Sequence, residues 1–143
     1  MRSSVETHTE WKVIRAFENA VAVAAGVRNA ADAALVDLVV EALEEGWWEG
    51  WKIHTPAQWL MWRTGASRST ASRVVGLARR AGDLPTVMSM FRAGGLSLDQ
   101  AATVARYTPA AYEASVCELA VNATVNQIVA ATRRYGFDAE IAD

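Results

Sequence analysis

The stretch TGASRSTASRVVGLARR, residues 64–80, decides how the rest of the chain is read. It carries four arginines and no acid. Gly65 supplies the positive φ that a tight turn requires, and Ser67 is placed to accept a hydrogen bond from a first-turn amide of the helix that follows. At 100° per residue, Ala71, Val74, Val75 and Ala78 fall on one face of that helix, while Ser69, Ser72, Arg73, Gly76 and Arg80 fall on the other. Upstream, PAQWLMWRT reads as a short helix with Thr55 as its cap and Pro56 at its first position. Helix, three-residue glycine turn, helix is the local pattern of a helix-turn-helix, here over about residues 56–81.

Outward from that unit, the chain reads as helix almost throughout. Apolar positions recur at spacings of three and four, and no run of alternating β-branched residues sits between hairpin turns. The expected fold is all-α: a compact domain of about seven to eight helices spanning residues 1–143. The first helix is expected over residues 6–25, with Trp11, Ile14, Phe17 and Val21 as an inward stripe, ending near Gly26. Asn29 is the expected cap of a second helix reaching Glu45, with Leu35, Leu38, Val39, Ala42 and Leu43 inward. Gly46 ends it, and GWWEGWKIHTP is an aromatic-rich connector. After the helix ending at Gly82, Asp83 is the expected cap of a helix with Pro85 in its first turn and an end at Gly94 and Gly95. Ser97 begins the next, Pro109 the one after, and a last helix covers about residues 125–135. Gly136 closes it, and FDAEIAD is expected to fray.

Charge is distributed unevenly. Residues 1–49 hold four basic and nine acidic side chains, and residues 83–143 hold four basic and seven acidic. Residues 50–82 hold six basic side chains and no acid, an asymmetry hidden by the formal net charge of -2. Ordinary surfaces mix the two signs, so an acid-free segment of this length points to an anionic partner. Arginine outnumbers lysine twelve to two, and its planar fork suits phosphate and guanine. The alternative is that these arginines pair with the acidic first third of the same chain.

Two resemblances rest on particular residues. Residues 64–75 resemble the lactose repressor family's helix-turn-helix, in which a Gly-Val-Ser turn is followed two residues later by Thr-Val-Ser-Arg-Val-Val. Gly65, Ser67, Thr70, Ser72, Arg73, Val74 and Val75 coincide with it. That family has small residues where this chain has Met61 and Thr64, and valines where it has Ala66 and Ala71. The resemblance implies base-reading positions at Arg68, Ser69 and Arg73. More broadly, residues 55–107 look like the actinobacterial family called domain of unknown function 222, or 13E12 repeat. The recognisable pieces are Pro-Ala-x-Trp-Leu at 56–60, Thr-Gly at 64–65, Ala-Arg-Arg at 78–80, Leu-Pro at 84–85 and Gly-x-Leu-Ser-x-Asp-Gln-Ala at 94–101. Members commonly carry a separate HNH nuclease domain after this region, and none of the 143 residues reads as one.

The expected function is therefore DNA binding, to duplex, by the non-catalytic N-terminal part of a protein linked to mobile elements or HNH nucleases. Arg63, Arg68, Ser69, Ser72, Arg73, Arg79 and Arg80 are the candidate contacts. A homodimer fits, since helix-turn-helix proteins pair to reach two half-sites. The competing expectation is a protein-interaction or oligomerisation module without DNA contact. Catalysis by this chain is not expected: His8 and His54 are its only histidines, and His54 reads as part of a helix entrance. No cofactor or metal is expected, since Asp37, Glu41 and Glu45 form a single helical stripe without further ligands. Of the clustered tryptophans, Trp59 and Trp62 are expected in the core, and Trp47 and Trp48 on the surface. Cys117 is expected to pack as a small apolar residue, and one cysteine permits no internal disulfide. No apolar run reaches the roughly 20 residues of a membrane span and no signal peptide is evident, so a cytoplasmic protein without membrane partners is expected.

Overall fold

A computed structural model describes residues 4–135 and 137. Seven α-helices run in order among these residues: α1 Ser4–Glu45, α2 Pro56–Thr64, α3 Arg68–Arg80, α4 Pro85–Arg92, α5 Leu98–Tyr107, α6 Glu113–Ala120 and α7 Val125–Arg134. Two 3₁₀ turns, Ala81–Asp83 and Ala110–Tyr112, lead into α4 and α6, so the helix expected to start at Pro109 opens with a tighter turn. The fold is all-α.

Most helix starts follow from short polar side chains placed one residue ahead. The hydroxyls of Thr55, Ser67, Ser97 and Thr124 accept from the backbone N–H groups of Gln58, Thr70, Gln100 and Gln127. At Ser97 and Thr124 the glutamine side chain also accepts from the cap's own N–H, which satisfies two otherwise orphaned donors. Gly46 and Gly65 end α1 and α2 with φ of 71° and 75°, a conformation that costs other residues a Cβ clash.

α4 starts differently. Asp83 does not cap it; Leu84 occupies the cap position and makes no side-chain bond there. The carboxylate of Glu113, in the first turn of α6, accepts from Thr86 N at 2.7 Å and Val87 N at 3.0 Å. Glu113 is buried, so one acid both caps a foreign helix and complements its dipole.

The largest departure from expectation is α1. Gly26 does not end a helix and Asn29 does not begin one; the helix runs unbroken for 42 residues. A mid-helix glycine loses only about 1 kcal/mol against alanine, and the turn joining α4 to α5 uses the spot. A Cβ on Gly94, whose φ is 86°, would lie 2.8 Å from Gly26 O. Asn29 Nδ2 donates to Gly94 O at 3.1 Å. The two residues that looked like a stop and a start are thus a seat for a loop distant in sequence.

The core gathers Val36 and Val39 of α1, Leu60, Val74, Leu77, Met88, Phe91, Val104 and Ile128. α3 lies at its centre, packed on α1, α2 and α5, while α5 also meets α7 and α4 meets α1 and α6. Ala33 and Val36, not Leu38, join Val39 and Ala42 inside; Leu38 is exposed. Every residue from 4 to 25 is exposed, including Trp11, Ile14, Phe17 and Val21, which were expected inside. Phe137, expected in a frayed tail, is buried and stacks on Tyr112 and Tyr135 at ring distances of 4.7 and 5.3 Å. The rest of that expected tail, and Gly136, lie outside the described residues.

Candidate functional site

α3 presents two faces, and both match the periodicity of residues 64–80. Ala71, Val74, Val75 and Ala78 are buried, joined by Leu77. Opposite them Arg68, Ser69, Ser72, Arg73, Gly76 and Arg79 are exposed, and Arg80 is half-buried. Arg63 projects from the last turn of α2, its guanidinium 4.5 Å from the centre of the Trp62 ring.

The exposed residues of α3 form a ridge between two grooves that share Ser72. One, of about 650 Å³, lies toward α2 and is lined by Gln58, Met61, Trp62, Arg68 and Ser72. The other, of about 740 Å³, lies toward α5 and α7; Ser69, Arg73, Gly76 and Arg80 face Asp99, Thr103 and Arg106 across it. An added Cβ on Gly76 would meet no atom within 4 Å, so internal packing does not require a glycine there.

The arginines differ in what holds them. Arg73 Nη1 is 3.6 Å from Asp99 Oδ1, an ion pair open to solvent on both sides. Arg80 Nη1 donates to the carbonyl oxygens of Ala105 and, at 2.6 Å, Thr108; it closes the last turn of α5, where carbonyls lack helical partners. Among the described residues, Arg63, Arg68 and Arg79 have no acidic partner. Asp37 of α1 pairs with Arg92 through two bonds of 2.9 Å. Those hydrogen bonds hold the Asp37 carboxyl below its ordinary range and raise Arg92. Asp37 is thus an arginine-pairing surface residue, and Arg92 lies outside the acid-free segment.

The aromatic residues beside the site sort differently from expectation. Trp62 is exposed rather than in the core, Trp59 is half-buried against it, and Trp47 is exposed while Trp48 is half-buried. Trp51 is 87% exposed with the Lys52 ammonium 4.3 Å from its ring centre. Trp62 and Asp99 line the two grooves without having been singled out for them. The alternation of Trp62 with Arg63 and Arg68 was a local signal for the first; no local signal connects Asp99 to Arg73, 26 positions earlier.

Metal chemistry finds no cluster: among the described residues no three His, Cys, Asp or Glu side chains approach closely enough to hold an ion. The His54 backbone N–H donates to Gln58 Oε1 at 2.7 Å, within the entrance to α2. Cys117 is buried, and desolvation, with the Glu113 charge nearby, pushes its thiol up and away from reactivity. No helix among the described residues is long and apolar enough to cross a membrane.

An all-α chain with an arginine-bearing ridge is a broad class, and comparison with known proteins narrows it once. The family model described as Domain of unknown function (DUF222) matches residues 18–136, and the chain belongs to that family. No curated protein and no solved structure matches the chain.

Proposed function

We propose that the chain is a DNA-binding helical domain in which α2 and α3 act as a helix-turn-helix and the α3 ridge enters the major groove of duplex DNA. It serves as the non-catalytic N-terminal part of an HNH-nuclease-associated or mobile-element protein, working in the cytoplasm. The observation that carries this reading is the exposure of Arg63, Arg68 and Arg79 along the ridge and its edge, with no acidic partner among the described residues. Charges left unpaired on a rigid helix cost little in water and are already positioned for phosphate. A ridge with a groove on either side has the shape of an inserted element, and a major groove about 12 Å wide admits one helix. Ser69, Ser72 and Arg73 then face base edges. Arg80 is anchored to α5, so its replacement acts first on stability.

Fluorescence anisotropy with a labelled duplex across a salt series tests the proposal. Binding is expected at about 50 mM salt and should weaken steeply as salt rises. Arg68→Ala and Arg79→Ala should each lower the salt slope by about one on any sequence, whereas Arg73→Ala should cost about 1–3 kcal/mol on a preferred sequence only. A chain that shows no affinity for duplex at the low-salt end is no DNA-binding domain, and an interaction module without DNA contact then takes its place.

A further inference from the structure

The first half of α1 is a helix without a core. Residues 4–25 are all exposed, yet the segment is not polar: Trp11 is 62% exposed, Ile14 52%, Phe17 70% and Val21 54%. At roughly 1.5 Å per residue the segment spans about 33 Å. Trp11, Ile14, Phe17 and Val21 share one side of the helix, with Val5, Val23 and Val27 on the opposite side. At about 150–250 Å² for each aromatic side chain, the Trp11 side offers several hundred Å², toward the lower end of what one partner gives an interface. An apolar surface of that size on a water-exposed helix marks an interaction site.

The spacing says what covers it. Ile14, Phe17, Val21 and Ala24 recur at three and four, the a and d positions of a two-heptad seam. We infer that this arm of α1 pairs with the same arm of a second copy, antiparallel and centred near Asn19. Ile14 then packs on Ala24 of the partner subunit and Phe17 on Val21 of the partner subunit. The same register sets Glu10 opposite Arg28 of the partner subunit at both ends of the seam. A parallel pair would instead set Glu10 against Glu10 of the partner subunit and Arg28 against Arg28 of the partner subunit. Antiparallel alignment also opposes the two helix dipoles. The arm itself carries three glutamates against Lys12 and Arg15, so its self-repulsion is small. Because each arm meets its own body from Gly26 onward, the two α3 ridges end up on bodies at opposite ends of the pair.

Sedimentation of the full chain from about 1 to about 100 µM reads the proposal directly. A monomer–dimer equilibrium is expected, weakened about 100-fold or more by Phe17→Glu, with helical circular dichroism and the thermal midpoint of the body retained. The body is unaffected because Phe17 touches none of its core. Register is read by oxidising an equal mixture of I14C and A24C chains, which should give a covalent heterodimer in preference to either homodimer; Cys117 is buried and does not compete. A wild-type chain that stays monomeric at the top of that range, whatever else the arm then binds, overturns the proposal. So does a Phe17→Glu chain that remains dimeric, or an I14C homodimer that forms in preference to the mixed product.

Discussion

Gly76 stands on the exposed side of α3, where a helix interior loses about 1 kcal/mol relative to alanine. Nothing in the body crowds the place a Cβ would take, so no packing reason opposes the substitution. Gly76→Ala should therefore stabilise the fold, raising the Tm by about 2–4 °C; under the proposed DNA-binding role it should also weaken duplex affinity, because the added methyl stands where the ridge would approach a groove wall. A thermal melt and an anisotropy titration of the same variant separate the two effects. Unchanged affinity with a raised midpoint would show that nothing docks closely on this part of α3. The neighbouring arginines teach the same lesson one residue at a time: Arg73 is paired with Asp99, Arg80 is tied to α5, and Arg68 and Arg79 remain available.

At the scale of the element, α4 depends on a side chain from α6. Its first free amides, Thr86 N and Val87 N, are satisfied by Glu113 alone among the described side chains. Buried donors that lose their acceptor cost about 1–3 kcal/mol, so Glu113→Ala should destabilise the protein by that amount in urea unfolding with an unchanged m-value. Glu113→Gln keeps one acceptor oxygen and should lose roughly half as much, or about 1 kcal/mol. A loss under about 0.5 kcal/mol for the alanine variant would mean water replaces the carboxylate readily. The starts of α2, α3, α5 and α7 were legible in the sequence because each uses a Ser or Thr one residue ahead that bonds the amide three residues on. The start of α4 was not, because its cap is 27 positions away from Thr86.

For the whole molecule, the contact of Gly94 with Gly26 ties the α4–α5 turn to the long helix. Gly94→Ala introduces both an unfavourable positive φ and a clash with Gly26 backbone, and should destabilise by about 1–3 kcal/mol. Gly26→Ala meets Gly94 O only at 3.9 Å and should be neutral or stabilising by up to about 1 kcal/mol. Opposite signs for the two glycines, measured by thermal unfolding, are expected; equal losses would place the close approach elsewhere. This seam divides α1 into a part that belongs to the body and an arm that does not, and it explains why the helix continues through a residue that often ends one.

The all-α class, the capped starts of four helices, the glycine ends of α1 and α2 and the two faces of α3 were determined by the sequence itself. Each rests on interactions spanning at most one turn, or on a periodicity that repeats within one helix. Which face of α1 is buried, and over what length, was decided only by tertiary structure. The spacing of Trp11, Ile14, Phe17 and Val21 describes an apolar stripe equally well whether the body, a second chain or water lies against it. Likewise the composition of residues 50–82 announced a positive segment, but the roles of its arginines were settled by partners far along the chain: Asp99 for Arg73, and the carbonyls of Ala105 and Thr108 for Arg80. Charge is a property of a residue, whereas its availability depends on what the fold brings beside it.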